Sequence, residues 1–86
     1  MYKTTATWAT TPESQEINSE ISPKITQMVA DGKTDGIPAI SYQGEGNTPP
    51  MVVQRTWTTE EDAQEWKTFL AAATPDVPTS IVIAAV

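Results

Sequence analysis

An α+β fold of order β-α-β-β-α-β is predicted by three features of this 86-residue chain. The first is a repeated joint. Thr7-Trp8-Ala9-Thr10-Thr11-Pro12-Glu13-Ser14-Gln15-Glu16-Ile17 reappears, with one residue removed, as Thr56-Trp57-Thr58-Thr59-Glu60-Glu61-Asp62-Ala63-Gln64-Glu65-Trp66. The second is context: each copy follows an extended run and opens a helical one. The third is the presence of two further strand-like segments, one in the middle of the chain and one at its end.

Residues 2–9 are rich in aromatics and threonine, which favours a strand. One face carries Tyr2, Thr4, Ala6 and Trp8, the other Lys3, Thr5, Thr7 and Ala9. Thr10-Thr11-Pro12-Glu13 reads as a helix start, with Thr10 as cap, Glu13 three residues on and proline in the first turn. Ile17, Ile21, Ile25, Met28 and Val29 then recur on one helical stripe. Pro23 interrupts that run, so the helix either bends there or restarts at Ser22-Pro23. Asp31-Gly32 supplies the stop.

Residues 37–43 read as a short strand, which Pro38 places at an edge or a strand start. Residues 44–50 read as a loop too long for a two-residue turn. The next strand covers residues 51–57, with Met51, Val53, Arg55 and Trp57 on one face and Val52, Gln54 and Thr56 on the other. Thr58 caps the second helix with Glu61 three residues on, and acids fill its first turn. Ala63, Trp66, Phe69, Leu70 and Ala73 form its apolar face; Glu60, Glu61, Asp62, Glu65 and Lys67 form the solvated one. Thr74-Pro75-Asp76-Val77-Pro78 ends it, and residues 80–86 form the last strand.

Two interleaved right-handed β-α-β crossovers give a four-stranded antiparallel sheet with both helices on one face. Strands one and three are then central, strands two and four at the edges. This is the ferredoxin-like arrangement, built as a sandwich from the whole chain, residues 1–86, as one domain.

Composition excludes several functions. The chain has no cysteine and no histidine, so disulfides, thiolate zinc sites and the usual general base near neutral pH are absent. Net charge is -6, and the five basic residues, Lys3, Lys24, Lys33, Arg55 and Lys67, form no stripe for phosphates. Neither nucleic acid nor membrane is expected as a partner, no apolar run approaches the ~20 residues of a membrane span, and a cytoplasmic setting is expected. No cofactor is expected.

Gly32-Lys33-Thr34 lacks the upstream glycine of a phosphate loop, because Gln27 stands there. Asp31-Gly32-Lys33-Thr34-Asp35-Gly36 resembles half a calcium loop, but Lys33 and Tyr42 occupy ligand positions. A helix end followed by a turn accounts for both. Glu60, Glu61, Asp62 and Glu65 suit a helix N-terminus and a solvated face without any catalytic role. No catalytic or metal-ligating residue is assigned.

The last strand, Ile81-Val82-Ile83-Ala84-Ala85-Val86, is apolar on both faces, although helices cover only one. Edge strands are usually blunted by lysine, proline or a bulge, and this one has none. The expectation is a homodimer formed through the open sheet face or the edge itself, with Ile81, Val82, Ile83 and Val86 as interface residues; burial under the loop of residues 44–50 is the alternative. Arg55, the single arginine, and the tryptophans Trp8 and Trp57 are the candidate contacts for a partner or ligand. If Arg55 faces the helices, its charge needs a partner there. Trp8 and Trp57 hold equivalent places in the repeat, which suggests a structural role beside each helix start.

The order of elements resembles the ferredoxin-like superfold and, within it, the small dimeric α+β-barrel proteins that join two sheets through their open faces. No catalytic residue carries over, because the histidine some members use is absent. The stretch Arg55-Thr56-Trp57-Thr58-Thr59-Glu60-Glu61-Asp62-Ala63-Gln64-Glu65-Trp66 also resembles a joint in small uncharacterised proteins of tailed bacteriophages. These resemblances imply a non-catalytic interaction protein that self-associates, a phage accessory or virion-associated factor in host cytoplasm or virion, with a possible protein partner. The alternative is a cofactor-free dimeric-barrel enzyme or small-ligand binder. A closed cavity would favour that alternative, and a packed core the interaction protein.

Overall fold

A computed structural model describes residues 1–9, 14–72 and 78–86, with side chains from residue 21 onward in the first helix. The elements are β1 (Tyr2–Trp8), α1 (Ser14–Ala30), β2 (Ala39–Gly44), β3 (Thr48–Trp57), α2 (Glu60–Ala72) and β4 (Ser80–Ala85). They form an α+β structure whose antiparallel sheet has the order β2-β3-β1-β4, so β1 and β3 are interior, as expected. The expected first cap, Thr10 to Glu13, lies outside the described residues, as do Ala73 and the segment 74–77.

Registers follow from side-chain parity. Thr4 pairs with Arg55 on one side and Ile83 on the other, and Ala6 with Val53 and Ile81. Thr4, Ala6 and Trp8 are buried, so this face is the one the helices cover. Ile21 and Met28 of α1 and Ala63, Trp66 and Leu70 of α2 complete one core cluster with Ala6, Trp8 and Trp57. The opposite face carries Thr5, Thr7, Gln54 and Thr56 with Val52, Val82 and Ala84, because these alternate with the buried set.

α1 runs unbroken through Pro23, whose side lies toward solvent. Its end is a helix stop of Schellman type: the Lys33 N–H donates to the Met28 carbonyl at 2.9 Å, and Gly32 adopts φ 73°. That geometry explains the glycine of the rejected phosphate and calcium motifs. α2 is capped one residue later than expected. The Asp62 N–H donates to Thr59 Oγ1 at 3.1 Å, and the Thr59 N–H donates to Asp62 Oδ2 at 3.2 Å. Thr58 instead donates its hydroxyl to the Gly32 carbonyl at 3.0 Å, fastening the start of α2 to the end of α1.

The β2–β3 connection is shorter than expected. Glu45, Gly46 and Asn47 make the turn, with positive φ at Gly46 (66°) and Asn47 (60°). Pro49 and Pro50 belong to β3 because they lie opposite the register shift between Tyr42 and Gly44, where no regular ladder needs their missing N–H groups. This hairpin is at the far side of the sheet from β4, so the loop does not cover the last strand.

Candidate functional site

Between the sheet and the two helices lies a cavity of ≈ 260 Å³. Trp8, Met51 and Val53 contribute from the sheet, Ile21 from α1, and Trp66 and Leu70 from α2; Pro38 and Ile40 stand at its β2 side. Arg55 is the single charged residue in its wall among the described residues. Ile40, 55 % exposed, and Ile37, 72 % exposed, make the surface beside β2 apolar.

Each wall has a local cause. Arg55 lies on the helix-facing side because it shares parity with Val53 and Trp57 in β3. The connection after α1 curls beside it. Thr34 bridges to Trp57 and donates its hydroxyl to the Thr56 carbonyl at 2.8 Å. The Gly36 N–H donates to Thr34 Oγ1 at 3.2 Å, and the Ile37 N–H to Asp35 Oδ1 at 2.9 Å. Gly36 takes φ 79°, and a Cβ there would stand 2.7 Å from Val29 Cγ2, so this tight passage requires glycine. The result points the Gly36 carbonyl at Arg55, whose Nη1 donates to it at 3.5 Å.

The guanidinium also lies over the Trp66 ring, 5.4 Å from its centroid. Trp66 in turn stacks on Phe69 at 5.5 Å and meets Trp57 at 5.3 Å. Among the described residues no carboxylate comes within ion-pair distance of Arg55. Burial pushes its pKa below the ordinary arginine value, and the more distant Asp35 carboxylate opposes that shift. Lys24 and Lys33 are both held by Glu65, at 2.9 Å each, which ties α1 and its end to α2. Glu65 stays on the solvated side expected of it, with its side chain 37 % exposed, and gains this tying role there. Its hydrogen bonds from Lys24 and then Lys33 hold its carboxyl below the usual range.

The expected site residues divide. Arg55 and Trp8 meet in the cavity wall. Trp57 does not reach the cavity; it is fully buried behind it and donates its indole N–H to Thr4 Oγ1 at 2.9 Å. Of the expected interface residues, Ile81 and Ile83 turn inward and pack on the core, whereas Val82 (56 % exposed) and Val86 (77 %) remain outside. Met51, Ile21 and Leu70 were not foreseen as site residues; Trp66 was legible as an aromatic that could line a pocket and as part of the apolar face of α2.

A wider groove of ≈ 690 Å³ at the start of α2, between Tyr2, Thr58, Thr59, Glu60 and Glu61, is open surface. Its rim is acidic, and the Thr59–Asp62 pair already caps the helix there. Among the described residues no three acidic side chains gather as metal ligands would, and no helix is long and apolar enough to cross a membrane. Comparison with protein-family models, with curated proteins and with solved structures finds no match.

Proposed function

We propose that this chain is a non-catalytic interaction protein of ferredoxin-like plan that pairs with a second copy through the edge of β4. The observation that carries this reading is the contrast between the two edges of the sheet. β2 is blunted: Pro38 precedes it, and its register with β3 shifts between Tyr42 and Gly44. β4 keeps a regular register with β1 from Ser80 to Ala85, contains no proline, lysine or bulge, and ends the sheet.

Edge pairing is favoured over the face-to-face union of a dimeric barrel. The open face presents Thr5, Thr7, Gln54 and Thr56 across its centre, which bury poorly against a second sheet. A twofold β4–β4 pairing would continue the sheet across two copies and cover Val82. The β-α-β-β-α-β order with β1 and β3 inside supports the ferredoxin-like plan. The resemblance of the Arg55–Trp66 joint to small tailed-phage proteins supports an accessory or virion-associated setting.

Light scattering across a concentration series tests the reading. The wild type is expected at twice the 9.3 kDa chain mass, and Val82→Lys, which places like charges near the twofold axis, at the monomer mass with unchanged circular dichroism. A wild type that stays monomeric at high micromolar concentration would overturn edge pairing. Ile83→Lys is the wrong probe, because Ile83 packs on the core.

A further inference from the structure

We propose that the cavity between sheet and helices binds a small apolar monocarboxylate, an aromatic or branched aliphatic acid, whose carboxylate pairs with Arg55. This site stands apart from the β4 edge and does not depend on pairing. Arg55 is a cation with few partners among the described residues. Of the five N–H donors of a guanidinium, Arg55 uses one among the described residues, in a long bond of 3.5 Å to the Gly36 carbonyl. The group lies over the Trp66 ring, 5.4 Å from its centroid. The donors in its plane suit the two parallel bonds of a carboxylate.

The rest of the wall selects the body of the ligand. Trp8, Met51, Val53 and Leu70 offer apolar surface, and an apolar group entering there gains ~25 cal/mol for each Å² removed from water. The volume of ≈ 260 Å³ lies below the roughly 300–1,000 Å³ of drug-sized sites, so one ring or a short branched chain fits. A doubly charged phosphate would need a second cation, but no lysine is among the described lining residues, and Lys24 and Lys33 are engaged by Glu65. One positive charge in an apolar wall matches one negative charge on an apolar body. Exposed Ile37 and Ile40 beside Pro38 make an apolar entrance on the β2 side.

The test titrates isotopically labelled protein with benzoate, phenylacetate and isovalerate, following indole and guanidinium NMR signals, with benzamide as the uncharged counterpart of benzoate. Saturable shifts at Trp66 and Arg55 are expected from at least one acid, with benzamide at least tenfold weaker. Arg55→Met should abolish binding. If that variant does not fold, Ile40→Glu replaces it. Ile40 pairs with Val53, so it is diagonal to Arg55 on the same face, and a glutamate there supplies a competing carboxylate. No shift with any of the acids, equal binding of benzamide and benzoate, or undiminished binding in the folded variant used would overturn the proposal.

Discussion

Thr4→Val isolates one hydrogen bond in the centre of the sheet. Thr4 is 1 % exposed and Trp57 0 %, and the Trp57 indole N–H donates to Thr4 Oγ1 at 2.9 Å. Valine has nearly the shape of threonine, so no cavity opens, and its strand propensity is at least as good. What disappears is the acceptor. The indole nitrogen is a donor only, and it is left away from water. Stranding such a group costs about 1–3 kcal/mol. For a domain of this size each kcal/mol lowers Tm by roughly 4–8 °C. Urea unfolding followed by circular dichroism at fixed protein concentration should show a lower midpoint with an unchanged slope. A second arm removes the donor with Trp57→Phe. In that background Thr4→Val should be nearly neutral or stabilising, because neither partner is then left unpaired. The coupling between the two sites should fall within about 0.5–3 kcal/mol. If Thr4→Val costs nothing in the wild type, or costs the same in both backgrounds, this bond does not stabilise the core.

Other perturbations address the parts that position the cavity. Gly36→Ala should destabilise by about 1–2 kcal/mol, since it forces a side chain into the left-handed region and against Val29; a thermal melt checks this. Stability should fall on acidification as Glu65 protonates. Its folded-state pKa is lowered by Lys24 and Lys33, so its contribution is present above the ordinary carboxylate pKa and vanishes as pH drops through the depressed one. Glu65→Gln should flatten that acid limb, measured as urea midpoints from pH 7 downward. Deleting residues 80–86 should unfold the chain, because Ile81 and Ile83 pack on the core and β4 pairs along β1; a folded truncation by circular dichroism would contradict the observed register.

Period-two alternation was enough to place Tyr2, Thr4, Ala6 and Trp8 on one face and Met51, Val53, Arg55 and Trp57 on another, and the registers put these two sets on the same side. The second copy of the joint likewise marked the start of α2 to within one residue, whereas the first runs into residues outside the described ones. Parity alone does not say which side the helices cover, so the environment of Arg55 was open until the burial of Thr4 and Ala6 settled it. The second cap slipped by one residue because Thr58 with Glu61 and Thr59 with Asp62 offer the same spacing, and the contest is decided by Thr58 bonding to Gly32. Gly44 to Pro50 looked like a long loop because glycine and proline are turn residues, yet a bulge lets the prolines enter the strand. The cavity itself left no periodic signal. It depends on how Ile21, Trp66 and Leu70 sit relative to Val53, which is a matter of three-dimensional volume.

The two proposals occupy different parts of one sheet, the edge strand β4 and the helix-covered face over β1 and β3, and that separation is testable. β4 ends the sheet on one side, while Pro38 and Ile40 stand beside the cavity on the β2 side, with the interior strands β3 and β1 between them. Under the proposed β4 pairing, the β2 side of each cavity is expected to face away from the partner, and neither copy is expected to lend a residue to the other's cavity. β1 lies between the two places: Ala6 lines the cavity and pairs with Ile81 of β4, and Ile81 and Ile83 pack on the core. Monomeric Val82→Lys should then bind benzoate with wild-type affinity, within twofold, in the same NMR titration. A tenfold loss in a folded monomer would mean that the second copy shapes the cavity, and the site would have to be redrawn across the interface.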